Sequence, residues 1–414
     1  MTDLCETPDP TRRRLLVTGG ALFGWAFMPR FARAAGGRDP RFVTVILRGA
    51  MDGLSAVAPV GDPDYVALRE SIALSAGGDR PALPLDGFFA LHPAMPNFAR
   101  LYKQNQALVV HAVASPYRER SHFDGQDVLE SGLPGVGRVD SGWMNRLLQV
   151  LPKGEKVAAP GRTGLGVGTI TPLIMRGGAP VLGWAPQSLP KADEDTAARV
   201  LDLYRHRDPV LADALSRGLD TEAMAMRSGL TGDAARPRGG SDSPDGMRQA
   251  AAGAARLLAQ DTGPRLAALA FDGWDTHANE GGATGRLAQL LGGLDGALAE
   301  FETAMGPAWK DTVLLVVTEF GRTARVNGTV GTDHGTATVA FLAGGAVKGG
   351  RVLADWPGLK IPQLHEQRDL RPTTDLRAVA KGVLADHLGM PAGLLGEKVF
   401  PGTTGVKPVQ NLIA

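Results

Sequence analysis

The sequence predicts an α/β fold in which a mostly parallel central sheet is covered by helices on both faces. Short apolar segments rich in Val, Ile and Leu, such as residues 41–47, are typical of strands buried on both faces. These segments alternate along the chain with longer segments of helical periodicity, which is the order of elements in a parallel sheet. Because function in such sheets gathers at the carboxyl ends of the strands, the residues that follow each strand are the first site candidates.

The first two predicted strands lie in the N-terminal third of the chain. Residues 41–47, RFVTVIL, are mostly β-branched and aliphatic, and the turn that follows places Asp52 just past the strand. A second strand is predicted over 108–113, and the loop after it leads to Ser121. Asp52 and Ser121 are therefore candidate site residues.

The alternation of strands and helices is clearest after residue 247. There the sequence predicts helices over 247–260, 285–305 and 375–388, and strands over 266–271, 312–318 and 337–343. Two of these strands are followed at once by an acidic residue, Asp272 and Glu319. With Asp52, a carboxylate follows each of three strands, and this pattern indicates a functional site.

The N-terminal segment has the features of an export signal. The arginine pair Arg12–Arg13 precedes an apolar run over 15–28, and a small-x-small pattern ends at Ala34. The apolar run is shorter than the roughly 20 residues of a membrane-spanning helix. We therefore expect a twin-arginine signal peptide over 1–34, export by the twin-arginine machinery to the periplasm or beyond, and no stable membrane insertion.

We expect residues 35–414 to form one α/β domain with an irregular insertion around 150–247, a region rich in Gly and Pro. Within it, Gly164, Gly166 and Gly168 have the spacing of a nucleotide loop. No convincing strand precedes these glycines in the sequence, so the pattern does not favour phosphate binding.

Charge and cysteine content exclude several classes of partner and site. Of the 44 basic and 43 acidic residues, five and three lie within 1–34, so the remaining chain is nearly neutral. A neutral chain offers no electrostatic footprint for nucleic acid, and we expect no nucleic-acid partner. The single cysteine, Cys5, also lies within 1–34, which leaves no disulfide and no thiolate metal site and suits an oxidising compartment.

Three turns that follow strands combine carboxylates with basic side chains. They contain Asp272, Asp275 and His277, then Glu319 and Arg322, then Asp333 and His334. Asp, Glu and His without Cys form the ligand set of a hydrolytic site for Zn, Mn or Mg, with one or two ions. Any one of these turns could simply bond its own backbone. Three of them at successive strand ends favour a metal site.

Ser121 has two interpretations. The segment Ser121-His122-Phe123-Asp124 opens a predicted helix, and a serine with an acid three residues later resembles a capping box. The same position at a helix N-terminus suits an anionic substrate. A metal ion in contact with the hydroxyl would make it a nucleophile.

An ordered set of motifs resembles the secreted family catalogued as domain of unknown function 1501, over nearly the whole chain after the signal. The motifs are Arg48-Gly49-Ala50-Met51-Asp52-Gly53-Leu54, Arg120-Ser121-His122-Phe123, Asp275-Thr276-His277, Glu319-Phe320-Gly321-Arg322-Thr323, Asn327 and Gly331-Thr332-Asp333-His334-Gly335. That family resembles, more distantly, the alkaline phosphatase and sulfatase superfamily. The resemblance implies an alkaline-phosphatase-like core.

The resemblance also implies roles for individual residues. Asp52 would be the first metal ligand and Ser121 the nucleophile. The second metal site would consist of Asp272 or Asp275 with His277 and His334. Glu319 falls where the superfamily has an Asp-His pair, and Gly321-Arg322 follows it instead. The resemblance therefore leaves Arg322 to bind the substrate anion in place of that metal.

The expected function is hydrolysis of a small anionic phosphate or sulfate ester by an exported metal-dependent enzyme. The alternative is a non-catalytic periplasmic scaffold or binding protein that keeps the sulfatase-like fold. A serine esterase of the α/β-hydrolase type is disfavoured, because the sequence has no Gly-x-Ser-x-Gly elbow.

Overall fold

The structure, a computed structural model, describes residues 38–137, 139–151, 164–186, 194–231 and 236–414. The predicted signal peptide over 1–34 lies outside these residues. Within the described ranges, no helix combines the length and the apolar character that crossing a membrane requires. The elements given below all belong to the contact unit formed by residues 39–414.

The described strands form one large sheet and one small sheet. They are β1 (Arg41–Leu47), β2 (Val57–Ala58), β3 (Leu83–Pro84), β4 (Ala90–Leu91), β5 (Ala107–Ala114), β6 (Gly164–Val167), β7 (Leu182–Trp184), β8 (Leu266–Phe271), β9 (Thr312–Val317), β10 (Thr338–Ala343), β11 (Arg351–Leu353) and β12 (Thr374–Asp375).

The described helices follow the strands in the predicted alternation. The α-helices are α1 (Gly53–Ala56), α2 (Tyr65–Arg69), α3 (Pro96–Lys103), α4 (His122–Ser131), α5 (Trp143–Val150), α6 (Glu194–Arg207), α7 (Pro209–Arg227), α8 (Pro244–Ala259), α9 (Arg286–Met305), α10 (Leu376–Leu388) and α11 (Ala392–Leu394). Shorter 3-10 segments and one π-helical turn lie at Glu70–Ile72, Leu173–Met175, Gly306–Asp311, Ile361–Gln363 and Leu395–Val399.

The large sheet has the strand order β11-β5-β10-β9-β1-β8-β6-β7, and β12 pairs with β5 outside this path. β10 runs antiparallel to both of its neighbours, β5 and β9. The other pairings described in this sheet are parallel. The prediction of an α/β fold with a mostly parallel sheet is therefore confirmed. The small sheet, β2-β4-β3, is antiparallel.

Alternate side chains of β1 point to opposite faces of the sheet. Val43, Val45 and Leu47 belong to a cluster with apolar residues of α3, α8 and α9. Phe42 and Ile46 belong to a second cluster, with apolar residues of α5 and α10. Each of these β1 side chains is at most 1% exposed, and full burial of such a side chain stabilises the fold by roughly 1.5–3 kcal/mol. Helices thus cover both faces, as the sequence predicts.

The middle of the chain is more regular than the sequence suggests. The structure places β6, β7, α6 and α7 in the region around 150–247, where the sequence predicts an irregular insertion. β6 extends the sheet parallel to β8, with Gly166 opposite Ala268. Glycines are uncommon inside strands, so the sequence gives no clear signal for β6. A Cβ at Gly164 would lie 2.7 Å from side-chain atoms of Leu148 and Met175.

Candidate metal centre

Four segments of the chain meet at one edge of the central sheet. β9, β1 and β8 are neighbours and run parallel, so the loops after them, 318–337, 48–52 and 272–280, leave the same edge. The fourth segment is the start of α4, where His122 follows Ser121. Functional side chains that are far apart in sequence are brought together here.

Arg322 forms hydrogen bonds that connect three of these segments. Its Nε donates to the carbonyl of Ala50 at 2.7 Å, and its Nη2 donates to that of Gly49 at 2.6 Å. Nη1 donates to the carbonyl of Thr332 at 3.0 Å, and Nη2 also bonds Oδ1 of Asp275 at 2.5 Å. The Arg322 side chain is 0% exposed. Its position makes it a positioning residue for Asp275 and does not leave it open to a substrate anion, the role that the resemblance implies.

Two glycines allow the loops to approach this closely. Gly49 has φ +120°, and a Cβ there would lie 2.5 Å from the backbone nitrogen of Asp275. A Cβ on Gly335 would lie 2.4 Å from the carbonyl of Arg322. A larger residue at either position would push the loops apart, because real Cβ atoms do not approach backbone so closely.

The centre of the site is a cluster of three imidazoles around one carboxylate. Ligand atoms of His122, Asp275 and His334 all lie within 4.8 Å of one another. Nε2 of His122 is 3.5 Å from Oδ2 of Asp275, and Nε2 of His334 is 3.4 Å from Oδ1. His277 lies beside this group of three and is not part of it; its Nε2 is 2.9 Å from Nε2 of His334 and 3.2 Å from Oδ1 of Asp275.

In each of these imidazoles an acceptor occupies Nδ1. The pairs are His122 with Oε1 of Glu319 at 2.8 Å, His334 with the carbonyl of Arg120 at 2.9 Å, and His277 with Oδ1 of Asp333 at 3.1 Å. A carboxylate or carbonyl at Nδ1 requires the proton there, so each neutral ring presents the lone pair of Nε2 to the cluster. Such outer contacts orient metal-ligating histidines in many proteins.

This arrangement of donors fits a divalent cation. Nε2 of His122 is buried and has no hydrogen-bond partner among the described residues. The Nε2 atoms of His277 and His334 face each other at 2.9 Å as two lone pairs, which repel unless a proton or a cation lies between the donors. Three imidazole nitrogens and a carboxylate oxygen suit Zn²⁺ in particular.

Electrostatics keep the cluster in the charge state that a cation needs. Burial alone would raise the pKa of Asp275, but the Arg322 guanidinium holds that pKa below its usual value. Burial and the nearby His122 lower the pKa of His334, which favours its neutral, ligating form. The hydrogen bond that His122 donates to the carboxylate of Glu319 raises the pKa of His122. Protons and a cation therefore compete most strongly at His122.

Glu319 contacts the Nδ1 side of the His122 imidazole. Its Oε1 accepts from the backbone nitrogen of Gly49 at 2.9 Å as well as bonding His122, and its Oε2 accepts from Thr318 Oγ1 at 2.9 Å. The side chain is completely buried. The sequence predicts Glu319 as a metal ligand, whereas its contacts orient the imidazole of His122.

Asp52 lies in a different network from the imidazoles. Its Oδ1 accepts from the backbone nitrogens of Leu54 and Ser55 and so caps α1. Its Oδ2 is bound by the buried guanidinium of Arg69. Asp52 is not in the three-residue ligand cluster found among the described residues. The role of first metal ligand thus conflicts with its contacts, because both of its oxygens already have partners.

The remaining predicted ligands lie outside the three-residue cluster. Asp272 directly follows β8, but its Oδ2 accepts from the Oγ of Ser241. Asp333 is about half exposed and bonds Nδ1 of His277. Of the metal residues predicted from the sequence, the structure brings Asp275, His277 and His334 together.

Ser121 occupies the N-cap position of α4, but it makes no side-chain cap bond. Among the described residues its hydroxyl has no hydrogen-bond partner, while its backbone nitrogen donates to the Tyr117 hydroxyl at 3.1 Å. The capping interpretation is therefore wrong for this side chain. The hydroxyl is half-buried beside the ligand His122 and is not committed to the helix.

Sequence reasoning missed three residues with roles in or near the site: His122, Glu280 and Arg368. A signal for His122 existed, because it is part of the motif Arg120-Ser121-His122-Phe123 that carries the family resemblance. Sequence reasoning selects only Ser121 from this motif as a site residue. Glu280 and Arg368 do not come directly after a strand, so the rule of strand ends does not select them.

Comparison with known proteins assigns the chain to a family. The family model described as "Protein of unknown function (DUF1501)" matches residues 39–398. No curated protein matches the chain in sequence. The solved structures that overlap with it include two hydrolases. A phosphonate monoester hydrolase of Agrobacterium radiobacter has 14% identity and a TM-score of 0.33, with 89% of this chain and 78% of that chain covered. A 2-O GAG sulfatase has 13% identity and a TM-score of 0.29, with 90% and 76% covered. Overlaps this weak transfer no residue role.

Proposed function

Since the chain belongs to the DUF1501 family, whose description assigns no reaction, we propose a function from its site: divalent-metal-dependent hydrolysis of small anionic phosphate or sulfate esters. The family match extends over residues 39–398, which include every residue of the site. The proposal depends on the ligand cluster and on the groups around it.

The convergence of three Nε2 atoms on Asp275 is the single observation that carries the proposal. His122 offers a buried Nε2 without a partner among the described residues, and the Nε2 atoms of His277 and His334 are 2.9 Å apart. Ligands about 2.0–2.1 Å from one Zn²⁺ in a tetrahedron are about 3.3 Å apart. The separations of 3.2–3.5 Å from Asp275 to the imidazoles are of that size.

A bound divalent cation that took a hydroxyl or water as a further ligand would act as a Lewis acid and would lower the pKa of that group. The residues of the chain supply the rest of the reaction. In our proposal the Oγ of Ser121 attacks the phosphorus or sulfur of the ester and loses its proton to solvent, while the bond to the alcohol oxygen breaks and that oxygen takes up a proton from solvent. Water then attacks the serine ester, the phosphate or sulfate group is released, and Oγ regains a proton.

We assign the substrate anion to Arg368 in place of Arg322. The Nε of Arg368 bonds Oδ1 of Asp369 at 2.9 Å, and its Nη2 bonds the carbonyl of the ligand His334 at 2.7 Å. The side chain is nevertheless 44% exposed, and Nη1 makes no hydrogen bond with a described residue. A guanidinium held on two sides and open on the third suits a tetrahedral oxyanion.

Metal removal and replacement test the proposed activity. The full chain is stripped with a chelator, reloaded with Zn, Mn or Mg, and assayed on aryl phosphate, phosphodiester and aryl sulfate esters. We expect turnover with at least one metal and none after chelation. Asp275→Asn should lower turnover by about 100-fold or more, because it removes charge at the centre of the cluster.

Asp202→Asn is the matched control, because Asp202 is an exposed acid on α6, outside the cluster. It should keep wild-type turnover. Metal binding without turnover on any of the three esters would contradict the hydrolase and favour the alternative of a binding protein. Failure to bind metal at all would contradict the site itself.

Export remains a separate prediction. The arginine pair Arg12–Arg13 and the apolar run after it support export by the twin-arginine machinery to the periplasm. That route carries folded proteins, which is consistent with a metal loaded before export.

A further inference from the structure

A buried polar network lies behind two of the ligand-bearing loops. Its members include Asp52, Arg69 and Glu280, whose side chains are 0–1% exposed, and burial raises the pKa of Glu280 to about 8. The Nη2 of Arg69 bonds the Oδ2 of Asp52 and lies 3.6 Å from the Oε1 of Glu280. None of the three is in the ligand cluster of the described residues. Their burial requires an explanation, because desolvating charges costs several kcal/mol per ion.

Glu280 connects this network to the ligands. Its Oε2 accepts from the hydroxyl of Thr276 at 3.0 Å and from that of Thr332 at 2.7 Å. Its Oε1 accepts from the hydroxyl of Ser55 at 2.9 Å. One carboxylate thus joins the loop after β8, the loop between β9 and β10, and helix α1.

The two threonines are neighbours of ligands in the sequence. Thr276 lies between Asp275 and His277, and Thr332 lies two residues before His334. The backbone of Thr332 also donates to the carbonyl of Thr276 at 3.1 Å. The contacts of Glu280 therefore hold together the loop that carries His277 and the loop that carries His334. The Nε2 atoms of these two imidazoles are 2.9 Å apart.

We propose that Glu280 is a positioning residue that sets the spacing of the two ligand loops and thereby the metal affinity of the site. This inference rests on the proposed metal site and extends it to a residue without contact to the ligands. The carboxyl group of Glu280 bonds three hydroxyls at once, which no apolar side chain of its size can do.

Zinc affinity and loop protection test the proposal together. Zinc affinity of the full chain is measured by competition with a chelator, and amide hydrogen exchange is measured on the metal-free protein. Glu280→Gln should weaken zinc binding by about 10-fold or more, as for other outer-shell changes. It should also speed exchange in both loops, around Thr276 and around Thr332. Thr276→Val and Thr332→Val keep the shape and should each loosen both loops.

Asp295→Asn is the matched control, because Asp295 is another buried acid. It accepts from the backbone nitrogens of Asn97 and Phe98 at the start of α3. It should leave zinc affinity within about twofold of wild type, the size of effect expected outside the ligand shells. Unchanged affinity and unchanged exchange in Glu280→Gln would overturn the proposal. If Glu280→Gln does not fold, unchanged exchange in both threonine variants would overturn it.

Hydrogen exchange also separates this inference from the proposed function. A wild-type chain without turnover or bound zinc would contradict the hydrolase or its metal site. Faster exchange in both loops of the metal-free Glu280→Gln protein would still support the positioning role.

Discussion

At the scale of the residue, the three imidazoles of the site differ in what holds them. His122 is fixed by the fully buried carboxylate of Glu319, His277 by the half-exposed Asp333, and His334 by a backbone carbonyl. A charge-assisted bond in a buried place is stronger than one in water. His122 should therefore be the most rigid of the three ligands.

Ser121 gives the sharpest prediction at this scale. Ser121→Ala should abolish turnover if the hydroxyl is the nucleophile, and it should leave bound metal unchanged. Because the side chain makes no cap bond, the free energy of unfolding should change by less than about 0.5 kcal/mol, the usual size for sites without special contacts. Turnover, metal content and urea unfolding of the same preparation check this.

Two variants complete the test of Ser121. Ser121→Thr keeps a hydroxyl and should retain part of the activity, whereas Ser121→Asp should remain inactive, because a carboxylate cannot form the same ester. An active Ser121→Ala protein would contradict the nucleophile and would favour attack by metal-bound hydroxide.

At the scale of the element, sequence reasoning located the correct loops and included Asp275, but it also selected acids that lie outside the cluster. The rule of strand ends led to Asp52 and Asp272, whereas in the structure the side chain of Asp275 points into the cluster. The direction of each side chain depends on the path of its loop. That path is set by the positive φ of Gly49 and by the bonds of Arg322 to three loops. These contacts lie between segments distant in sequence, so periodicity cannot reveal them.

Arg322 provides the prediction at this scale. Arg322→Gln should lower the free energy of unfolding by about 1–3 kcal/mol, because it leaves several buried carbonyls without a donor. Zinc affinity should fall as well, since Asp275 loses the group that orients it. Urea unfolding and chelator competition measure the two effects.

Arg325→Gln is the control for Arg322. Arg325 lies in the same loop, but its side chain is 59% exposed and 3.6 Å from Glu70. Its replacement should change stability by no more than about 0.5 kcal/mol. Equal effects of the two substitutions would contradict the positioning role of Arg322.

At the scale of the whole molecule, the alternation of strands and helices was predictable and the strand order was not. Buried apolar runs identified β1, β5, β8, β9 and β10 within one or two residues of their bounds. The order that places β1 between β9 and β8 depends on pairings between residues more than 200 positions apart. Without that order, no sequence pattern shows that the start of α4 meets the loop after β9.

His122 is an example of a site residue whose partners the sequence does not reveal. Its imidazole bonds Glu319, 197 positions later in the chain, and its Nε2 lies 3.5 Å from Asp275. A histidine at the start of a helix carries no signal of a partner so far away. The family motif around it is the only feature of the sequence that marks the position.

The central claim is that His122, His277, His334 and Asp275 together hold one divalent cation. Elemental analysis of the purified chain, combined with zinc X-ray absorption, measures the amount of metal and the number of imidazoles bound to it. We predict one zinc ion per chain with three imidazole ligands. His122→Ala and His334→Ala should lose most of the metal, while His206→Ala, which changes an exposed histidine on α6, should keep it. Full zinc occupancy in both cluster variants, or no imidazole around the bound zinc, would contradict the account.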